Sequence, residues 1–235
     1  FGKYTVTLKL YPAIVTLHLL GGLLLLVLLA AQHAAYRPQP LALARPLRRV
    51  LGLAGVLLAV QIALGGWVST NYAVLACGDF PMCNGRWWPP MDFAGGFSVL
   101  RPLGRGTDGG FLPFDALVAI HMAHRWFALA VVAALGVLAV GLWRAGAVGS
   151  ALRRFGAGIG LLTVLQVASG LSNIVLDWPL AAALGHAAGA AALTLVLALL
   201  ACRVRQAGHA DAGAPADPHS TGRTGAPEGR RAAAA

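Results

Sequence analysis

Five apolar runs constrain this chain more than any other feature. They lie at about residues 12–32, 50–70, 116–143, 155–176 and 180–202. Each reaches the roughly 20 residues that a helix needs to cross a bilayer's hydrocarbon core. In that core every backbone N–H and C=O has to be paired, which leaves helices and closed barrels as the spanning structures. Barrel strands are only about ten residues long and alternate in polarity, and these runs do neither. The expectation is therefore an all-α, polytopic transmembrane helix bundle with five spans. Only 11% of the residues are charged, a composition foreign to ordinary soluble domains.

The net charge of +10 raises the question of nucleic acid, but the basic residues flank the apolar runs instead of forming a patch or stripe. They read as topology signals. One side carries Arg37, Arg45, Arg48, Arg49, Arg144, Arg153, Arg154 and the arginines of the tail. The other carries Lys3, Lys9, Arg86, Arg101 and Arg105, offset by Asp79, Asp92, Asp108, Asp115 and Asp177. The positive-inside rule makes the first side cytoplasmic. The polar loop 71–113 and the short "DWP" turn are then expected outside, where Cys77 and Cys83 are free to form a disulfide. Cys202, at the other end of the last span, reads as a small apolar residue.

The chain also resembles itself. "LHLLGGLLLLVLLAA" around His18 matches "GHAAGAAALTLVLALLA" around His186, each opening an apolar helix with His-x-x-Gly. Proline precedes both histidines (Pro12, Pro179), with glycine further upstream (Gly2, Gly170). A duplicated four-helix unit follows, of which the runs at 50–70 and 116–143 are the unmatched first two. The expected organisation is a last helix of one half (1–32), a cytoplasmic linker (33–49), a second four-helix half (50–203) and a disordered cytoplasmic tail (204–235). Phe1 is not a start methionine, so the chain is expected to begin within a longer protein or to have been processed.

Ionisable side chains inside a span are costly and by default suggest a functional site. Counted at about 1.5 Å per residue, His124, His186 and His18 fall at one depth, near the outer face. No acidic residue lies inside any span, against a carboxylate proton relay. Imidazoles on different helices suit a haem whose iron takes an axial nitrogen from each face. His121 and His124 share one helix face, so only one of them pairs with a partner elsewhere, and His186 is that partner. Arg125 and the arginines of the loop are expected to be able to meet haem propionates. The plainer alternative is that these histidines only make interhelical hydrogen bonds. His33, His209 and His219 receive no role.

"TVTLKLYPAIVTLHLLGG", "QIALGGWVSTNYAVLACGDFPMCNGRWWPPMDF" and "AIHMAHRWFA" closely resemble the haem A synthase family over about residues 1–200. The resemblance implies eight transmembrane helices in two four-helix halves, this chain supplying the fourth to the eighth. It implies an oxidoreductase that converts haem O to haem A by successive hydroxylations of a ring methyl, for cytochrome oxidase assembly in a bacterial inner membrane. His124 and His186 match the axial ligands of a haem b, with Arg125 near the ring edge. His18 matches one of two histidines at the substrate haem O. The catalytic carboxylate and the other histidine of that site belong to the half not represented, so these residues alone are expected to be inactive. Cys77 and Cys83 match a cysteine pair of the outer loop, as a staple or a redox pair. The implied partners are haem O, haem O synthase, cytochrome oxidase assembly factors, the lipid bilayer and a second copy of the chain.

Two other classes fit parts of the pattern. An electron-transfer cytochrome b uses the same histidines without chemistry on the ring. A periplasmic thiol–quinone oxidoreductase would work through Cys77 and Cys83, but such chemistry usually employs a C-x-x-C. Trp87 and Trp88 invite comparison with haem-handling proteins of cytochrome c maturation, whose loops are denser in tryptophan.

Overall fold

A computed structural model describes residues 2–213. Short helix α1 (Gly2–Thr7) leads into α2 (Pro12–Tyr36), α3 (Arg45–Thr70), a 3-10 turn (Ala73–Ala76), α4 (Phe93–Gly96), α5 (Phe114–Ala145), α6 (Ala151–Val175) and α7 (Leu180–Gly213). Five of these, α2, α3, α5, α6 and α7, are long and apolar enough to cross a membrane. The described residues contain no strand, only isolated bridges between Cys83 and Arg86 and between Arg105 and Phe111.

Local chemistry sets the helix ends. Proline opens α2 and α3, where its missing N–H would have no partner in any case. Ser150 caps α6 by accepting the Arg153 N–H, and Asp92 caps α4 by accepting that of Gly95. Asp115 in the first turn of α5 and Arg144 in its last both complement the helix dipole. At 32 residues, α5 is about 48 Å long and reaches beyond a ~30 Å hydrocarbon core.

The four helices α3, α5, α6 and α7 form a bundle. α5 lies along α3 and α6, α7 lies along α6 and α3, and α2 sits outside against α3 and α7. Among the described residues, α5 and α7 make no close backbone approach, nor do α3 and α6. These pairs are the bundle's diagonals. Toward the arginine-rich ends of the helices the interior is filled with side chains, among them Leu58, Leu138, Leu142, Ile159, Leu197 and Leu200. Toward the loop ends this apolar plug stops, and the histidines begin.

Lipid tails compete with leucine for apolar contact, so close backbone approach through small residues matters more here than in water. A Cβ on Gly156 would stand 2.7 Å from the Ala139 carbonyl oxygen and 2.8 Å from the Trp143 nitrogen. Gly156 is thus where α6 meets the backbone of α5. Gly156→Leu should wedge these helices apart and cost ~2 kcal/mol or more, read as a lower unfolding temperature in detergent. An unchanged temperature would show that the contact contributes nothing.

The linker and tail differ from the sequence expectation. α3 begins at Arg45, inside the stretch taken as linker, and α7 runs on to Gly213. Hydrogen bonds to the linker explain the extension. Arg203 Nε donates to the Gln39 carbonyl (2.8 Å), and the Arg203 carbonyl accepts from the Leu41 N–H (3.0 Å). Gln206 Nε2 donates to the Ala34 carbonyl (2.7 Å), while its Oε1 accepts from the Gln39 N–H (3.1 Å). The rest of the expected disordered tail, 214–235, lies outside the described residues.

The loop folds back as a cap. Arg101 is only 1% exposed and donates to Asn71 Oδ1 (2.8 Å), its guanidinium 5.8 Å from the Trp67 ring. Trp67 Nε1 donates to the Gly96 carbonyl (2.9 Å), holding α4 against the end of α3. Trp88 stacks on Trp126 of α5 at 4.8 Å.

Candidate functional site

His124 on α5 and His186 on α7 stand on diagonally opposed helices, near the loop ends of both. Each is seated against the helix that precedes its own in the chain. A Cβ on Gly65 of α3 would lie 3.0 Å from His124 Cε1, and a Cβ on Gly170 of α6 would lie 3.3 Å from His186 Cε1. Any larger residue would push the ring away, so these glycines give the imidazoles room to lie against the backbone. Four residues before each glycine stands a glutamine. Gln61 Nε2 donates to the His124 carbonyl (3.2 Å) and lies 3.1 Å from His124 Nδ1. Gln166 Nε2 donates to the His186 carbonyl (2.8 Å).

The hairpins α3–α5 and α6–α7 therefore share one device, Gln-x-x-x-Gly facing a histidine. Reading the sequence missed it and took α3 and α5 as unmatched. The signal was present as "QIALGG" against "QVASGL", but glutamine and glycine in an apolar helix carry no mark of what they face. One of the differences lies beside the ring. Ser169 Oγ lies 3.0 Å from His186 Nδ1, whereas the corresponding position in α3 is Leu64.

His18 on α2 is exposed and stands outside this bundle, with Gly2 against its ring as Gly170 is against His186; a Cβ on Gly2 would lie 3.7 Å from His18 Cε1. His121 is buried, and its Nε2 accepts from Arg125 Nε (3.1 Å).

Arg125 is committed to the loop. Nη1 donates to the Met82 carbonyl (2.9 Å), and Nη2 donates to the carbonyls of Cys77 (3.2 Å) and Asp79 (3.0 Å). With the bond to His121, one of the guanidinium's five N–H donors is left over. All three carbonyls belong to the segment closed by the Cys77–Cys83 disulfide. The Asp79 carboxylate closes the same segment by accepting N–H bonds from Gly85 and Asn84, which hold its pKa below the ordinary carboxylate value.

A metal ion caged by side chains alone usually takes about four ligands. No group of three or more His, Cys, Asp or Glu residues converges to hold one among the described residues. Two imidazoles from opposed helices instead suit an iron whose in-plane nitrogens come with a macrocycle. The glycine seats and the placement of the two imidazoles on diagonal helices fit that group.

A family model described as cytochrome oxidase assembly protein matches residues 1–198. A protein named heme A synthase from Shewanella oneidensis is 38% identical over 200 residues, covering 83% of this chain and 59% of that protein. Proteins of the same name from Methylorubrum populi and Methylorubrum extorquens are 33% and 34% identical, over 82% of this chain and 48% of each relative. The chain spans about half to three-fifths of the length of these relatives.

Proposed function

Because the chain belongs to the COX15-CtaA family of cytochrome oxidase assembly proteins, we propose that it acts in haem A biosynthesis as the haem b-binding portion of a haem A synthase. The observation that carries this reading is the pair His124 and His186, on diagonal helices, each seated on a glycine and held at its carbonyl by a glutamine. These two imidazoles would hold the haem iron. When bound, such a haem supplies one-electron transfer.

The chain's own residues do the holding. Gln61 and Gln166 fix the turns that carry the ligands, and Gly65 and Gly170 set how near the rings come to the neighbouring helix. Arg125 ties the disulfide loop over the site, which keeps water from its loop end, and offers its remaining N–H to a propionate. Cys77 and Cys83 act as the staple of that loop. His18, outside the bundle, belongs to the substrate side, where the ring methyl of haem O is oxidised to the formyl group of haem A. The parts of the relatives that this chain does not match complete that side. The arginine asymmetry supports a periplasmic 71–113 loop and a cytoplasmic end of α7 in a bacterial inner membrane.

A hybrid tests the reading. This chain replaces the matching part of the Shewanella relative, haem O is supplied in membranes, and extracted haems are separated by chromatography. The formyl haem is expected from the hybrid and not from the chain alone. A hybrid that holds haem b but leaves haem O unchanged would reduce the protein to an electron-transfer cytochrome.

A further inference from the structure

We propose that Ser169 is a positioning residue that fixes His186 as the Nδ1–H tautomer, leaving Nε2 as its ligating nitrogen. The inference rests on the haem-binding reading above. Ser169 has a single hydroxyl proton, and its Oγ donates to the Gln166 carbonyl one turn back (3.2 Å). Toward His186 Nδ1, 3.0 Å away, that oxygen is then an acceptor. The proton between them belongs to the ring, and a neutral imidazole carries only one. Nε2 keeps its lone pair.

The chain of bonds runs from ring to hydroxyl to backbone, so the ring's orientation is tied to α6 itself. A histidine that ligates through one nitrogen and donates from the other is held in place, and its basicity toward the metal rises.

His124 lacks this support. Leu64 stands where Ser169 would be. The group beside His124 Nδ1 is the Gln61 amide nitrogen, which can only donate, while Gln61 Oε1 is buried without a partner. The two ligands are unequal: His186 is prepared by its neighbours, and His124 has to exchange a bond to become a ligand through Nε2.

The test uses the haem-loaded chain in membranes with Ser169→Ala and Ser169→Thr. A less basic His186 stabilises ferric iron less, so S169A should raise the midpoint potential with the low-spin spectrum kept. At a fixed ambient potential this reads as a rise on the order of tenfold in the reduced-to-oxidised ratio. S169T, which restores the hydroxyl, should return to the parent value. A potential unmoved in S169A, or moved as far in S169T, would overturn the proposal. A second readout needs no haem: nitrogen-15 NMR of the His186 ring in the haem-free chain should show Nδ1–H in the parent and a tautomer mixture in S169A. Nε2–H in the parent would refute the assignment even if haem binds. A parent with Nδ1–H that takes up no haem would instead count against the haem-binding reading.

Discussion

Alanine at either His124 or His186 should abolish the low-spin b-type signature that the proposed haem would give the chain. Redox difference spectra and chromatography of extracted haem, on protein purified from membranes, provide the measurement. The expected effect is close to complete, because a low-spin iron needs both axial nitrogens and the other described histidine side chains are placed elsewhere. His121 is buried and occupied by Arg125, and His18 lies outside the bundle on α2. With one of the two imidazoles gone, the remaining one would hold the group less tightly and the low-spin spectrum would be lost. His18→Ala in the same chain should keep the signature. If either His124→Ala or His186→Ala kept a full low-spin spectrum, the assignment of the axial pair would be wrong. Loss in His18→Ala alone would move the haem to α2.

The second large effect is expected at Arg125. Arg125→Met keeps the side chain's length and apolar stem, and removes the donors that serve His121, Cys77, Asp79 and Met82. Hydrogen bonds from charged donors are worth about 1.5–3 kcal/mol each. They share one guanidinium and are partly exposed, so they will not add. A loss of ~3–4 kcal/mol is expected. Thermal unfolding in detergent should fall accordingly, and trypsin should cut after Arg86, within the freed loop, several-fold faster. Arg125→Lys should recover only part of this, because an ammonium cannot reproduce the planar fork. Parent-like melting and trypsin resistance in the methionine variant would show that the disulfide alone holds the loop.

How much of this was legible before the structure depends on how local each signal is. The spans could be read because apolar length is a property of one segment. His124 and His186 could be marked as candidates because an imidazole in an apolar run stands out, and the structure sets them on diagonal helices. Arg125 also stood out, but its partners did not: they are backbone carbonyls of Cys77, Asp79 and Met82, and no side-chain pattern announces a carbonyl. A propionate was the natural expectation for a lone guanidinium, and the loop uses most of it instead. Gln61, Gln166 and Ser169 act only on the neighbouring helix of their own hairpin, so their role appears once α3 faces α5 and α6 faces α7. The length of α7 depended in the same way on bonds to residues 34–41.

The leucine-filled half of the bundle bears on energy conservation. Leu138, Leu142, Ile159 and Leu200 are fully buried where the bundle helices meet, and these aliphatic side chains offer no titratable group to relay a proton. Under the proposed function, proton exchange at the histidine layer would run toward the loop side. With that side facing the periplasm as proposed, protons released there would stay on the positive side of the membrane. The proposed redox work would then proceed without short-circuiting the proton gradient across the membrane.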